Sequence, residues 1–178
     1  MRASSEGRQV YVAKCRCSRV VLQAQGPPLA HICCYCDDCQ AAARKIDARE
    51  GGCSGQGPDG GTPSLLFRRD RIRFVQGEEL LTVLRVREPT HTDRLIAACC
   101  NTAITQRHYN GWPHCGVKSH LFEPPIPPLE LRIYTRYAPD PSAVSRDVPC
   151  ARGASLRLVR RLLPAALALK VVTLRRRA

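Results

Sequence analysis

The sequence has few aromatic side chains and no long apolar run. Aromatic residues make up 5% of the 178 residues, with a single tryptophan, which argues against a surface that stacks on the bases of single-stranded nucleic acid. No apolar run approaches the roughly 20 residues that cross a bilayer, and the amino terminus lacks the apolar stretch of a secretory signal. We therefore expect a cytoplasmic protein without a transmembrane segment.

Acidic residues are also scarce relative to basic ones. The chain has 15 aspartates and glutamates against 28 lysines and arginines, which gives a formal net charge of +13. This charge suits nucleic acid, an anionic membrane or an acidic small molecule as a partner; it is also what an ordinary protein from an arginine-rich proteome would show. Since 44% of the residues are hydrophobic, we expect a packed domain rather than a disordered chain.

Cysteine, by contrast, is abundant. The chain has 11 cysteines, an odd number that cannot pair completely within one molecule. In a reducing compartment, cysteines in such numbers more often bind metal or perform chemistry than form disulfides. The cysteines are therefore the first place to look for function.

The spacing of apolar residues predicts a mainly β protein with one short helix. Alternating or β-branched segments indicate strands. These segments are residues 8–24, 65–75, 79–87 and 94–109. The stretch from Gln40 to Ala48 is rich in helix-forming residues, and Asp38 is placed to act as its N-cap.

Three short cysteine clusters interrupt these elements. They are Cys15-Arg16-Cys17, Cys34-Tyr35-Cys36-Asp37-Asp38-Cys39 and Cys99-Cys100. Zinc binds thiolates at about 2.3 Å in a tetrahedron, and closely spaced cysteines can reach a single ion. We expect a structural zinc site to which Cys15 and Cys17 give two ligands and the Cys99-Cys100 region gives the rest.

A second zinc site is predicted at Cys34, Cys36 and Cys39. Three protein ligands leave one coordination position for water or substrate, as in catalytic zinc sites. The helix that begins near Cys39 favours thiolates through its N-terminal dipole. Asp37 and Asp38 either orient the ligands from outside or simply cap this helix.

The other cysteines and histidines have plainer expected roles. Cys33 should point into the core, and His31 should be a hydrogen-bonded structural histidine. Three further cysteines in loop contexts are predicted to be free thiols: Cys53, Cys115 and Cys150. Side chains that could line a substrate pocket, with a surface or core role as the alternative, are His108, Tyr109, Trp112, His114 and His120.

Composition divides the chain into two parts. Residues 8–137 form the predicted zinc-binding β domain, and residues 138–178 form a basic C-terminal extension. In the extension, arginines occupy one helical face and apolar residues another, and Pro164 is expected to break this helical segment.

Together the three clusters resemble the glutathione-dependent formaldehyde-activating enzymes, a family that includes centromere protein V-like proteins. The family pattern is Cys-x-Cys-Gly, Cys-His-Cys-x-x-Cys and Cys-x-x-Cys-Gly-Thr, and the resemblance covers roughly residues 10–122. Four positions depart from it: Ser18 and Asn101 stand for glycines, Tyr35 for histidine and Ala97 for cysteine. A bacterial branch of unknown function is a closer match than this general pattern, through the segments Cys-Tyr-Cys-Asp-Asp-Cys-Gln and Ala-Ala-Cys-Cys.

This resemblance implies a β-tent (Mss4-like) zinc fold and two zinc ions. It implies structural ligands at Cys15, Cys17 and Cys100, with Cys99 as the substitute for the ligand missing at Ala97. It also implies that the second zinc, on the middle cysteines, is where glutathione chemistry occurs.

Two functions follow as expectations. The first is zinc-dependent carbon–sulfur chemistry, in which a small thiol such as glutathione adds to an aldehyde such as formaldehyde, with Cys34, Cys36 and Cys39 as the catalytic centre. The alternative is a zinc-stabilised binding module without catalysis, which engages nucleic acid, protein or anionic membrane through its basic tail. The sequence leaves the substrate and the oligomeric state open.

Overall fold

A computed structural model describes residues 9–109 and 112–175, the last five as backbone only. The strands of this part of the chain are β1 (Val10–Lys14), β2 (Val21–Gln25), β3 (Ala30–Cys34), β4 (Thr62–Arg68), β5 (Ile72–Gln76), β6 (Leu81–Leu84), β7 (Thr92–Ala97), β8 (Thr102–His108), β9 (His114–Lys118) and β10 (Leu131–Ile133). Its α-helices are α1 (Asp37–Asp47) and α2 (Leu156–Arg175). The expected mainly β architecture, with one short helix and a C-terminal helix, is confirmed.

The strands form two sheets. The small sheet has the order β1-β2-β5, and the large sheet has the order β10-β3-β4-β9-β8-β7-β6. Neighbouring strands are antiparallel except β10 and β3, which run parallel. The two predicted strands around residue 77 therefore separate, because β5 joins the small sheet while β6 joins the edge of the large one.

The main apolar core lies between the two sheets. Leu65, Phe67 and Val117 of the large sheet pack with Tyr11 and Leu22 of the small one, and each is at most 9% exposed. Burying a side chain of this kind contributes about 1.5–3 kcal/mol. This core holds the turns that bear the cysteine clusters in fixed positions.

The other face of the large sheet carries the polar residues that concern function. Arg94 lies opposite Gln106, and His114 lies opposite Arg68. Since side chains alternate along a strand, the registers place Arg94, Gln106 and His114 on the same face as Ile32 and Cys34.

Helix α2 covers part of this second face. Its Leu162, Ala165 and Leu169 are buried. The helix runs through Pro164, so the predicted break there is wrong. Pro164 and Arg160 are both exposed, and the carbonyl that loses its partner can be hydrated instead. Within the described residues, no helix combines the length and apolar character needed to cross a membrane.

Candidate metal centres and the adjoining cavity

Four cysteines from two distant turns converge at one end of the main core. Cys15 and Cys17 lie between β1 and β2, and Cys99 and Cys100 lie between β7 and β8. Their sulfurs all lie within 4.8 Å of one another. The Cys15–Cys17, Cys15–Cys99 and Cys99–Cys100 sulfur distances are 3.6, 3.9 and 3.9 Å. Four thiolates about 2.3 Å from a tetrahedral ion are about 3.8 Å apart, so the cluster could hold a metal ion.

The adjacent Cys99 and Cys100 both face this cluster because the chain turns sharply after them. Asn101 has a φ of 49°, and Ser18 in the other turn has a φ of 60°. Both therefore keep the left-handed backbone that glycine favours. Asn101 also donates from Nδ2 to the Glu50 carbonyl at 3.0 Å. Ser18 and Asn101 thus leave the two turns able to present their sulfurs.

Ser18→Gly is expected to stabilise the protein. The left-handed conformation costs a non-glycine residue roughly 1–2 kcal/mol, and the greater freedom of unfolded glycine cancels part of that gain. A net gain of about 0.5–1 kcal/mol in the free energy of unfolding should appear in denaturant titration. Ser18→Ala, which removes the hydroxyl but keeps the Cβ that disfavours a positive φ, is the control. If Ser18→Gly is no more stable than Ser18→Ala, the turn is not strained.

The second cluster forms where β3 meets α1. Cys36 is the N-cap of α1 and Cys39 lies in its first turn, so Cys34, Cys36 and Cys39 meet with their sulfurs within 4.8 Å of one another. Asp38 is the second residue of α1 and not its N-cap, so that prediction is wrong. Its carboxylate instead accepts from Arg87 at 2.6 Å and lies 4.0 Å from Arg94, so it acts on arginines rather than on the helix end.

Buried positive charge lies beside this cluster. Hydrogen bonds from the Cys34 and Cys36 thiols lower the pKa of Cys39 well below its usual value, and the charges of Lys118 and Arg94 add to this. Both cations are more than nine-tenths buried. Three thiolates and a divalent ion sum to one negative charge, which these cations can balance. The donor set therefore fits a thiophilic divalent metal such as zinc.

Tyr35, between two of the cysteines, anchors the cluster to the rest of the fold. Its side chain is fully buried and its hydroxyl donates to Asp59 Oδ2 at 2.6 Å. Arg132 of β10 donates from Nη1 to the same hydroxyl at 2.7 Å and binds Asp147 at 3.0 Å. The loop before β4 thus holds the Tyr35 side chain directly, and the segment before α2 holds it through Arg132.

A cavity of about 430 Å³ opens next to the three-cysteine cluster. This is within the usual range for small-molecule sites. Cysteines and polar side chains form one side, the latter being Arg87, Arg94, Gln106, His108 and His114. Aliphatic side chains form another, namely Ile32, Leu66, Ile133, Leu158, Val159 and Leu162.

Several polar atoms in the cavity wall have no protein partner. Arg94 Nη1, Gln106 Oε1 and His114 Nδ1 are buried without a hydrogen bond among the described residues. Leaving such groups unpaired costs about 1–3 kcal/mol each. They are therefore the atoms a bound ligand would satisfy.

His114 should make the stability of the fold depend on pH. Burial, with repulsion from His108, lowers the pKa of His114 from 6.5 to about 4. As the pH falls, His114 therefore binds a proton in the unfolded chain at a higher pH than it does in the folded protein. Stability contributed by neutral His114 is therefore complete above pH 6.5 and falls as the pH drops towards 4, by up to about 3 kcal/mol.

The comparison with His114→Gln isolates this effect from other titrating groups. The difference in free energy of unfolding between wild type and variant should shrink by up to about 3 kcal/mol between pH 7 and pH 4. A difference that stays constant over this range would mean that His114 is protonated equally in both states.

The remaining sequence expectations are met in part. Cys33 is buried in the core, and His31 makes a hydrogen bond of 2.8 Å to the Pro127 carbonyl. His108, Trp112 and His114 line the cavity. His120 instead lies 3.6 Å from the sulfur of Cys53. Five of the candidates from the sequence lie outside both cysteine clusters and outside the cavity lining: Cys53, Tyr109, Cys115, His120 and Cys150.

The site also contains residues that the sequence did not single out. Arg94 and Gln106 line the cavity, and Lys118 lies beside the three-cysteine cluster. All three lie on strands far in sequence from Cys34, Cys36 and Cys39. One sequence signal could have found Arg94 and Lys118, namely a charged residue inside a strand segment with apolar neighbours. A charge buried in this way needs a partner, which makes it a candidate for a binding site. Arg132 shows the same signal in β10.

The fold and the two clusters define a mainly β protein that could hold a metal ion at each of two groups of cysteines. No family model and no curated protein sequence matches the chain. A solved structure of a structural-genomics protein from Rhodobacter sphaeroides is similar at 17% identity, with a TM-score of 0.47, over 65% of this chain and 91% of that one.

Proposed function

We propose that this protein binds two zinc ions and uses the one at Cys34, Cys36 and Cys39 for carbon–sulfur chemistry on a small thiol. The observation that supports this most is the position of the three-cysteine cluster. Its residues line a cavity of about 430 Å³, so a ligand can approach from the side where protein donors are lacking. The other cluster has four cysteines and needs no further ligand.

The reaction proposed is addition of a thiol to an aldehyde, as the resemblance to the formaldehyde-activating family suggests. The sulfur forms a bond to the carbonyl carbon, the carbon–oxygen double bond becomes single, and the thiol proton ends on the new hydroxyl. No oxidation or reduction is required. Zinc, when bound, supplies a Lewis acid that lowers the pKa of an incoming thiol.

The chain's own residues bind and orient the reactants. Arg94 Nη1 and the exposed Arg87 are placed to pair with a carboxylate of the thiol. His114 Nδ1, when it carries the ring proton, can donate to the carbonyl oxygen, and Gln106 Oε1 can accept from the hydroxyl that replaces it. The aliphatic wall limits the water that reaches the reacting atoms.

The test uses glutathione and formaldehyde, with adduct formation followed by NMR. The zinc-loaded protein should accelerate the reaction, and Cys36→Ser should remove the acceleration. Cys150→Ser, at an exposed cysteine outside both clusters, should keep it. An equal rate with and without the protein would remove this pair as substrates.

A second candidate is a zinc-stabilised module that binds an anionic membrane surface without catalysis. On α2, Leu156, Leu163 and Leu167 are 58–77% exposed and share one helical face, with exposed Arg160 and Lys170 beside them. The helix has no acidic residue. Basic helices with an apolar ridge bind anionic lipid.

Sedimentation with vesicles distinguishes this module from the enzyme. Vesicles that contain phosphatidylserine should retain the protein, and Leu163→Ser with Leu167→Ser should release it. Equal binding to neutral vesicles, or none to anionic ones, would remove the module. Salt-dependent binding to DNA that is lost on deletion of residues 151–178 would show that the partner of the tail is nucleic acid and not a membrane.

A further inference from the structure

The cavity beside the three-cysteine cluster is divided by polarity. Its polar side presents Arg94 Nη1, a cationic donor without a partner on a residue that is 7% exposed. Lys118 alone can balance the single negative charge of a three-thiolate metal site, and the nearby carboxylates do not neutralise Arg94 fully. Asp38 is engaged by Arg87 at 2.6 Å and is 4.0 Å from Arg94, while Asp37 is exposed to solvent. The polar side therefore suits one anionic group of a ligand.

The opposite side is aliphatic and is built largely by the C-terminal helix. Leu158, Val159 and Leu162 of α2 line the cavity. Leu158 packs with the same apolar group of residues as Cys34 and Ile133. The apolar wall thus begins directly at the cysteines.

A wholly polar ligand would fit this arrangement poorly. A peptide thiol placed against Leu158 and Val159 would bury amide groups beside aliphatic side chains. Each amide that does not reach a polar group of the lining, such as Tyr134, Tyr137 or Ser155, costs about 1–3 kcal/mol. An aliphatic chain in the same place removes apolar surface from water on both sides.

We propose that the cavity binds amphiphilic acids, with the carboxylate at Arg94 and an aliphatic chain along α2. For the reactive cluster, this predicts that aliphatic mercapto acids react faster than glutathione, which has no aliphatic chain to place along α2. That prediction rests on the proposed thiol chemistry. Binding of the ligand's aliphatic chain does not rest on that chemistry, since Leu158, Val159 and Arg94 are not metal ligands.

The single tryptophan gives a direct measurement. Trp112 lines the cavity, and the sequence has no other tryptophan, so its fluorescence reports occupancy. Straight-chain carboxylates from butanoate to octanoate are titrated into the zinc-loaded protein. Each added methylene should tighten binding about fourfold, which corresponds to about 0.8 kcal/mol.

Matched variants test where the chain lies. Leu158→Ala and Val159→Ala should weaken octanoate binding several-fold and leave butanoate binding nearly unchanged. Val83→Ala, at an exposed position of β6, should leave both unchanged. Octanol, which lacks the carboxylate, should bind at least tenfold more weakly than octanoate.

The same titration in Cys36→Ser separates this inference from the proposed chemistry. If the dependence on chain length persists there while thiol addition is lost, the acid site is independent of the metal. Equal affinity for butanoate and octanoate in the wild type overturns the inference, even where thiol addition is observed. A chain-length dependence that is unaltered in both Leu158→Ala and Val159→Ala overturns it as well.

Discussion

Cys36→Ser is expected to lower the zinc content from two equivalents per chain to one without unfolding the protein. Cys36 lies at the start of α1, and its side chain makes no capping hydrogen bond. The sheets, the main core and the four-cysteine cluster do not depend on it. With two sulfurs left at the site, the affinity for zinc should fall by orders of magnitude, because each thiolate contributes a metal–ligand bond.

Metal analysis and circular dichroism on the same samples check this. Cys150→Ser is the matched control, since it removes an exposed cysteine outside both clusters and should keep two equivalents. A Cys36→Ser protein that retains both metal ions would show that these three cysteines do not form a metal site.

Cys99→Ser is also expected to lose one zinc ion. Unlike Cys36→Ser, it should show a large loss of stability. The four-cysteine cluster joins the turn between β1 and β2 to the turn between β7 and β8, which connects the two sheets across the core. A structural zinc supplies roughly 10–16 kcal/mol in zinc-finger peptides. Here the core shares the task, so the loss should be several kcal/mol, visible as a lower melting temperature.

Cys99 is the informative ligand because it is adjacent to Cys100, and the cluster requires both neighbours to bind the same ion. Cys53→Ser is the control. The backbone of Cys53 forms an isolated β-bridge with Thr102 beside the cluster, but the Cys53 sulfur lies outside the cluster. A chelator should destabilise the wild type strongly and Cys99→Ser little. If Cys99→Ser binds two zinc ions with unchanged stability, Cys99 is not a ligand.

Strands with clear alternation were predictable, and strands of uniform character were not. Residues 8–24 and 94–109 alternate and form β1 with β2 and β7 with β8. β3, Ala30–Cys34, is almost entirely buried, so it shows no alternation to detect. β10 has three residues and exists because it pairs with β3. The division of the chain at residues 137 and 138 stays a prediction.

Local errors also have physical causes. Asp38 has the composition of an N-cap, but nearby Arg87 and Arg94 give its carboxylate stronger partners than free backbone amides. Pro164 was expected to end a helix. The tertiary contacts of Leu162, Ala165 and Leu169 hold α2 together on both sides of it, and packing outweighs the lost hydrogen bond.

The sequence by itself determined how closely spaced cysteines group, because short spacings such as Cys34-x-Cys36-x-x-Cys39 limit those sulfurs to one neighbourhood. The tertiary structure alone decided that the turn of Cys15 and Cys17 meets the turn of Cys99 and Cys100, and what surrounds the three-cysteine cluster. Arg94, Lys118 and Leu158 reach the site through strand register and helix docking, which depend on contacts between residues far apart in the chain. Their identities could be read from the sequence, but their common position could not.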